Sequence, residues 1–163
     1  GSIFWFTAQL LKADVNADAS AAAESAQALP SPTVAQRIMR DAHTRRILLV
    51  EDEPINQMIA QAFLEHVDLP FDMAHNGLEA IELVGRHDYN LILMDMQMPL
   101  MDGLEATRRI RQMPQGAAIP ILAMTANAFA QDKMRCLEAG MSDVVTKPVD
   151  SERLYAAMLK WMV

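Results

Sequence analysis

The stretch Leu91-Ile92-Leu93-Met94-Asp95, continued by Met96-Gln97-Met98-Pro99-Leu100-Met101-Asp102-Gly103, decides how this chain is read. An apolar run that stops abruptly at a carboxylate reads as a buried strand that delivers Asp95 to the rim of a sheet. Other runs have the same shape. Ile47-Leu48-Leu49-Val50 stops at Glu51-Asp52, Ile121-Leu122-Ala123-Met124 at Thr125, and Val144-Val145-Thr146 at Lys147. Strands of a parallel sheet all point one way, so their C-terminal ends share one edge. The sequence thus gathers acids, a hydroxyl and an ammonium at one place.

Working outward, strands and helices alternate from Arg45 onward. Strands are expected over 46–51, 71–75, 90–95, 119–125 and 143–147. Helices are expected over 54–67, over 78–85, from 102 or 103 to just before Pro114, over 127–138, and from Ser151 to Met162. In the first of these helices Ile55, Ile59, Ala62 and Phe63 recur at helical spacing, with Met58 beside them, as the apolar face. Leu78, Ile81 and Val84 do the same in the second. Gly140 ends the fourth helix, Ser151 reads as the N-cap of the last, and Leu154, Met158 and Trp161 face inward there. Five strands, each followed by a helix, imply an α/β three-layer sandwich with helices on both faces of a parallel sheet. Pattern alone leaves the strand order open. The flavodoxin-like order 2-1-3-4-5 is the common one for this count, and it would seat strands 1 and 3 side by side, with Glu51, Asp52 and Asp95 together.

The bulk numbers exclude several classes. A length of 163 residues allows one ordinary domain plus a tail, and 52% hydrophobic content supports a real core. A formal charge of −7 argues against a nucleic-acid surface. No apolar run approaches the roughly 20 residues of a membrane span, and no signal-peptide pattern is present. The single cysteine, Cys136, allows no intrachain disulfide and fits a reducing, cytoplasmic setting. The methionines Met94, Met96, Met98 and Met101 read as flexible packing around the acidic edge.

Composition changes near residue 44. Residues 14–44 are rich in Ala, Ser and Asp, include Pro30-Ser31-Pro32, and read as a flexible linker with transient helix over 17–28. Ahead of it, residues 1–13 carry the aromatic and β-branched cluster Ile3-Phe4-Trp5-Phe6-Thr7, which has strand character but is too short to be a domain. It reads as the torn end of a domain upstream. Gly1-Ser2 reads either as native or as a cloning remnant. The main domain is expected over 45–163.

Clustered carboxylates repel one another, so either one holds a raised pKa or a cation neutralises them. Oxygen-only ligands suit Mg²⁺, a hard ion that keeps several waters, and no His or Cys pair offers a zinc-like set. Such an ion is a platform for phosphate. An aspartate can itself become an aspartyl phosphate, Lys147 can pair with one phosphoryl oxygen, and Thr125 can hydrogen-bond another.

Residues Arg45–Val163 closely resemble the receiver domain of two-component signalling proteins. The resemblance rests on Leu48-Leu49-Val50-Glu51-Asp52-Glu53-Pro54, on the run from Leu91 to Gly103, on Met124-Thr125-Ala126-Asn127-Ala128, and on Thr146-Lys147-Pro148. It implies that Asp95 accepts phosphate from a phosphohistidine. It implies that Asp52 and Asp95 bind Mg²⁺ directly, with the Gln97 backbone carbonyl as third protein ligand and Glu51 acting through water. It implies phosphate-contacting roles for Thr125 and Lys147, a cis Lys147–Pro148 bond, and catalysis by the segment of its own phosphorylation and dephosphorylation. Gln97 and Asn127 match positions that border the path of an attacking water, and neither is a strong base, so moderate to slow self-hydrolysis is expected. One departure stands out: Val144 occupies a position where receivers often carry an aromatic residue that swings inward on phosphorylation. Phosphate relay is therefore expected more than a large surface change.

The cluster at residues 3–7 resembles the closing strand of a histidine-kinase ATP-binding domain. Kinase end, linker and receiver form the layout of a hybrid sensor histidine kinase. The expected partners are the kinase's phosphohistidine and a histidine-phosphotransfer domain docking on the exposed face of the helix after strand 1. The segment is expected to be monomeric, cytoplasmic and free of membrane contact, in a parent compatible with an inner-membrane anchor. Kinase parts are missing: His43, His66, His75 and His87 lack the setting of a phosphorylated histidine, and there is no glycine-rich ATP lid. Two alternatives compete. A Mg²⁺-dependent phosphohydrolase would need an acid at Gln97, and no cap domain follows. A pseudo-receiver acting only as an interaction module would lack the acids, nucleophile or lysine, all of which are present.

Overall fold

Apolar runs with no polar alternation are satisfied only when covered on both faces, and the three central strands of the sheet are built from such runs. The structure is a computed structural model that describes residues 33–40, 42–126 and 129–162. The aromatic cluster at 3–7, the Ala-rich stretch at 17–28 and Asn127 lie outside the described residues. The strands are β1 Ile47–Val50, β2 Phe71–Ala74, β3 Leu91–Asp95, β4 Ile121–Thr125 and β5 Asp143–Thr146. All pair in parallel, in the order β2-β1-β3-β4-β5. The fold is the expected three-layer α/β arrangement with the flavodoxin-like order. The helices are α1 Val34–Met39, α2 Pro54–His66, α3 Gly77–Arg86, α4 Gly103–Gln112, α5 Ala130–Glu138 and α6 Ser151–Trp161.

Successive side chains of a strand point to opposite faces, and the core divides accordingly. Leu48, Val50, Ile92, Met94, Ile121 and Ala123 pack with Ala80, Val84, Leu104, Ala106, Ile110 and Cys136 of α3, α4 and α5. Ile47, Leu49, Leu91, Leu93, Leu122 and Met124 pack with Ile38, Ala60, Leu64, Leu154, Tyr155 and Met158 of α1, α2 and α6. Cys136 is buried, and burial raises its thiol pKa, so it is an inert packing residue.

Four sequence expectations are corrected. Within the segment expected as linker over 14–44, the described residues form structure: α1 carries a capping box between Thr33 and Gln36, buries Ile38 and packs against α6, and a 3-10 turn over Ala42–Thr44 precedes β1. Polar composition hid a short helix whose apolar residues, Val34, Ile38 and Met39, all fall toward the α6 side of the core. The apolar stripe expected in α2 is not its core face as a whole: Ile55 is 65% exposed, Met58 70% and Ile59 41%, while Phe63 packs on the core beside the buried Ala60 and Leu64. Leu78, read with Ile81 and Val84 as one apolar face of α3, is likewise exposed, while Ile81 packs on the core with the buried Ala80 and Val84. The last helix is capped by Asp150, whose carboxylate accepts the Arg153 N–H, so Ser151 is its first residue.

The contribution of α1 is testable. Ile38 is 1% exposed, so truncation to Ala leaves a cavity between α1 and α6. Ile38→Ala should lower unfolding free energy by about 3 kcal/mol, read from urea midpoints at constant m-value. An unchanged midpoint would show that α1 does not belong to the folded unit.

Candidate functional site

Register sets the site. Val50 pairs with Met94, so Glu51, the next residue, stands level with Asp95. Asp95 in turn pairs with Met124, one residue before Thr125, and Thr125 pairs with Thr146, one residue before Lys147. Each polar residue thus leaves its strand at the same edge. The chain after β5 is drawn in as well, since the Lys147 N–H donates to the Thr125 carbonyl at 2.7 Å. The Lys147–Pro148 peptide is cis, as expected.

Of the three acids following Val50, the third is the one used locally. Glu53 caps α2 by accepting the N–H groups of Ile55 and Asn56, with Pro54 at the first helical position. Glu51 and Asp52 are left to face Asp95. Among the described residues, oxygens of Glu51, Asp52 and Asp95 lie within 4.8 Å of one another. Glu51 and Asp95 are nearly enclosed, at 1% and 5% exposure, whereas Asp52 is half-buried. The Lys147 ammonium bridges the enclosed pair, 2.7 Å from Glu51 Oε2 and 2.9 Å from Asp95 Oδ2. The other Asp95 oxygen accepts the Gln97 N–H at 3.3 Å. Gln97, Thr125 and Ala126 complete the wall of the cleft.

The electrostatics follow from this packing. Burial pushes the Glu51 carboxyl above its ordinary range, and the nearby Asp95 charge adds to that, against the pull of Lys147 and Asn56. Burial works against the Lys147 ammonium, yet its bonds to Glu51 and Asp95 outweigh this and hold it above the usual lysine range. Buried charges of one sign are tolerable only when compensated, and one ammonium against three carboxylates leaves the cleft with excess negative charge. The donor set is all oxygen, with no thiol or imidazole, which fits a hard divalent cation.

The sequence-derived site residues Glu51, Asp52, Asp95, Gln97, Thr125 and Lys147 all line one cleft. Sequence reasoning missed Asn56 and Gln57. Asn56 Nδ2 donates to Glu51 Oε1 at 3.1 Å, and Gln57 Nε2 donates to the Glu51 carbonyl at 2.6 Å. Their spacing from Glu51, in the first turn of the following helix, was the available signal. From sequence, Gly103 reads as the close of the run that carries Asp95 and as a candidate start of the next helix. The N–H of Gly103 donates to the Met96 carbonyl at 3.2 Å, and a side chain there would meet the Asp95 carbonyl oxygen at 2.1 Å.

The family model for the response regulator receiver domain matches residues 47–159. The chain belongs to the response regulator receiver domain family. Its sheet order and acidic cleft are those of a receiver domain. The chain is 42% identical over 126 residues to hybrid signal transduction histidine kinase B of Dictyostelium discoideum, covering 71% of this chain and 6% of that protein. It spans between 6% and 24% of the length of the first curated relatives it matches. Among solved structures, it resembles the receiver domain of sensor histidine kinase PA1611 from Pseudomonas aeruginosa, with a TM-score of 0.69, 39% identity, and coverage of 72% of this chain and 97% of that one. That structure holds a magnesium ion in its active-site cleft. It also resembles the Saccharomyces cerevisiae complex of the histidine phosphotransfer protein Ypd1 with the Ssk1 receiver domain, with a TM-score of 0.68, 32% identity, and coverage of 72% and 88%.

Proposed function

We propose that this receiver domain is the phosphoacceptor of a hybrid-kinase phosphorelay, with Asp95 as the acceptor. The observation that carries this reading is the Lys147 ammonium, 2.9 Å from Asp95 and anchored 2.7 Å from Glu51, over a cluster of three carboxylates. An Asp95 oxygen bonds to phosphorus as the P–N bond of a phosphohistidine breaks, and the imidazole nitrogen keeps the electron pair. Lys147 then exchanges its Asp95 contact for a phosphoryl oxygen while Glu51 keeps hold of it. Thr125 lines the same cleft and hydrogen-bonds another phosphoryl oxygen. The donor set fits Mg²⁺, which Asp52, Asp95, the Gln97 carbonyl and, through water, Glu51 would hold. When bound it offsets negative charge on the transferring group. The setting is the cytoplasmic side of a larger kinase.

The experiment is phosphorylation by a phosphohistidine donor with Mg²⁺, followed by peptide mapping. Alkali-labile phosphate on Asp95, not formed when Mg²⁺ is chelated before the donor is added, is the expected result; phosphate elsewhere would remove Asp95 from the reading.

The partner follows from α2. Its outward Ile55, Met58 and Ile59 form an apolar face beside the cleft, suited to the helices of a histidine-phosphotransfer domain. The Ypd1–Ssk1 complex supports a partner of that kind. Met58→Glu should slow transfer to or from such a domain by about tenfold more than it slows labelling by a small acyl phosphate, as expected for a buried interface contact worth about 1.4 kcal/mol. Equal slowing with both donors would place docking elsewhere.

A further inference from the structure

Glu51 is held from two sides. Lys147 takes Oε2 from the β5 side. On the α2 side, Oε1 accepts Asn56 Nδ2 at 3.1 Å and the Glu53 N–H at 3.3 Å. The amide of Asn56 is therefore the shorter of the two bonds that fix the second oxygen of a carboxylate with 1% exposure. Asn56 itself lies in the wall of the cleft, next to Lys147 and Asp95. Its geometry is fixed in turn by α2, whose first turn is pinned by Glu53 and Pro54.

Without Asn56, Oε1 keeps only the longer bond from the Glu53 N–H, and the carboxylate is freer to rotate about its last torsion, which is broad. Oε1 would then point away from a cation, and the hold of the carboxylate on Lys147 would loosen. We infer that Asn56 is a positioning residue of the cleft, whose amide holds the Glu51 carboxylate in the orientation that serves both Lys147 and a divalent cation. Groups that orient the ligands of a metal commonly change affinity by about 10–100-fold when lost. The inference rests on the metal-binding reading above for its effect on Mg²⁺, and on geometry alone for its effect on Glu51.

The test uses the whole chain and two measurements. Titration calorimetry with Mg²⁺ should show Asn56→Ala binding about tenfold more weakly than the unaltered protein. In a Glu51→Ala background, where the amide has nothing to hold, Asn56→Ala should cause no further loss. A loss of the same size in both backgrounds, or affinity within about twofold of the starting value, would overturn the inference. In metal-free protein, carbon-13 NMR reads the Glu51 side-chain carboxyl directly. Asn56→Ala should shift and broaden that resonance, and Asn56→Asp, equal in shape but unable to donate when ionised, should do the same. An unmoved resonance in folded variants would overturn it as well. If the unaltered protein failed to bind Mg²⁺, the metal-binding reading would fall, and the NMR result alone would decide the role of Asn56.

Discussion

Asp95→Asn should reduce labelling by a phosphohistidine donor on the order of a thousandfold or more, the scale expected when a nucleophile is removed. The change is nearly isosteric, so the effect isolates chemistry from packing. An amide oxygen is a far weaker nucleophile than a carboxylate and leaves no acyl phosphate of the same kind. The fold should survive. Glu51 and Asp95 lie side by side at 1% and 5% exposure, and replacing one of them by an amide removes a buried repulsion while Lys147 keeps Glu51. Intact protein with no label is thus the expected pair of results, read by mass spectrometry and thermal denaturation. Labelling that persisted near the starting rate would show another group to be the acceptor. Lys147→Ala serves as the contrast. It keeps the nucleophile but removes the donor aimed at the transferring group, so labelling should fall by about a hundredfold rather than vanish.

Gly103→Ala should be the most damaging single methyl addition near the cleft. A Cβ at this position would sit 2.1 Å from the Asp95 carbonyl oxygen and 3.1 Å from Met94 Cγ. The clash is with backbone, which cannot rotate aside, so either α4 or the end of β3 must shift. Overpacking of this kind costs about 3 kcal/mol, and the displaced strand end carries the proposed acceptor. The variant should unfold at lower denaturant and, where still folded, label more slowly. The control is Gly85→Ala, where an added Cβ would lie 3.4 Å from the flexible end of Met113. That change should be near neutral or mildly stabilising, because it also removes a glycine from a helix. Equal stability of the two variants would show that α4 can move off β3 without cost.

Much of the sheet could be read from sequence because its three central strands are apolar runs, a signal that survives any choice of strand order. The cleft was readable for a related reason: each run ends in one polar residue, and parallel strands send those residues to one edge. Orientation of the helices was harder. Ile55, Met58 and Ile59 recur at helical spacing, and spacing reports that a helix has an apolar stripe without reporting whether core or partner covers it. The short helix α1 was hidden by its Ala- and Ser-rich surroundings, although Thr33 and Gln36 carry a capping box. Asn56 left only a weak sequence mark, its spacing from Glu51, and one amide near an acid means little until a distance of 3.1 Å is attached to it.

The packing of α1 on α6 has a mechanical consequence. α1 leads into the N-terminal end of β1, and Trp161, near the end of α6, donates its indole N–H to Asp143 at the N-terminal end of β5. The first and last described helices are thus moored together on the side of the sheet opposite the acidic edge. Glu51, Asp52 and Asp95 stand at the other edge of the sheet, so nothing that packs α1 on α6 crowds the acidic cleft.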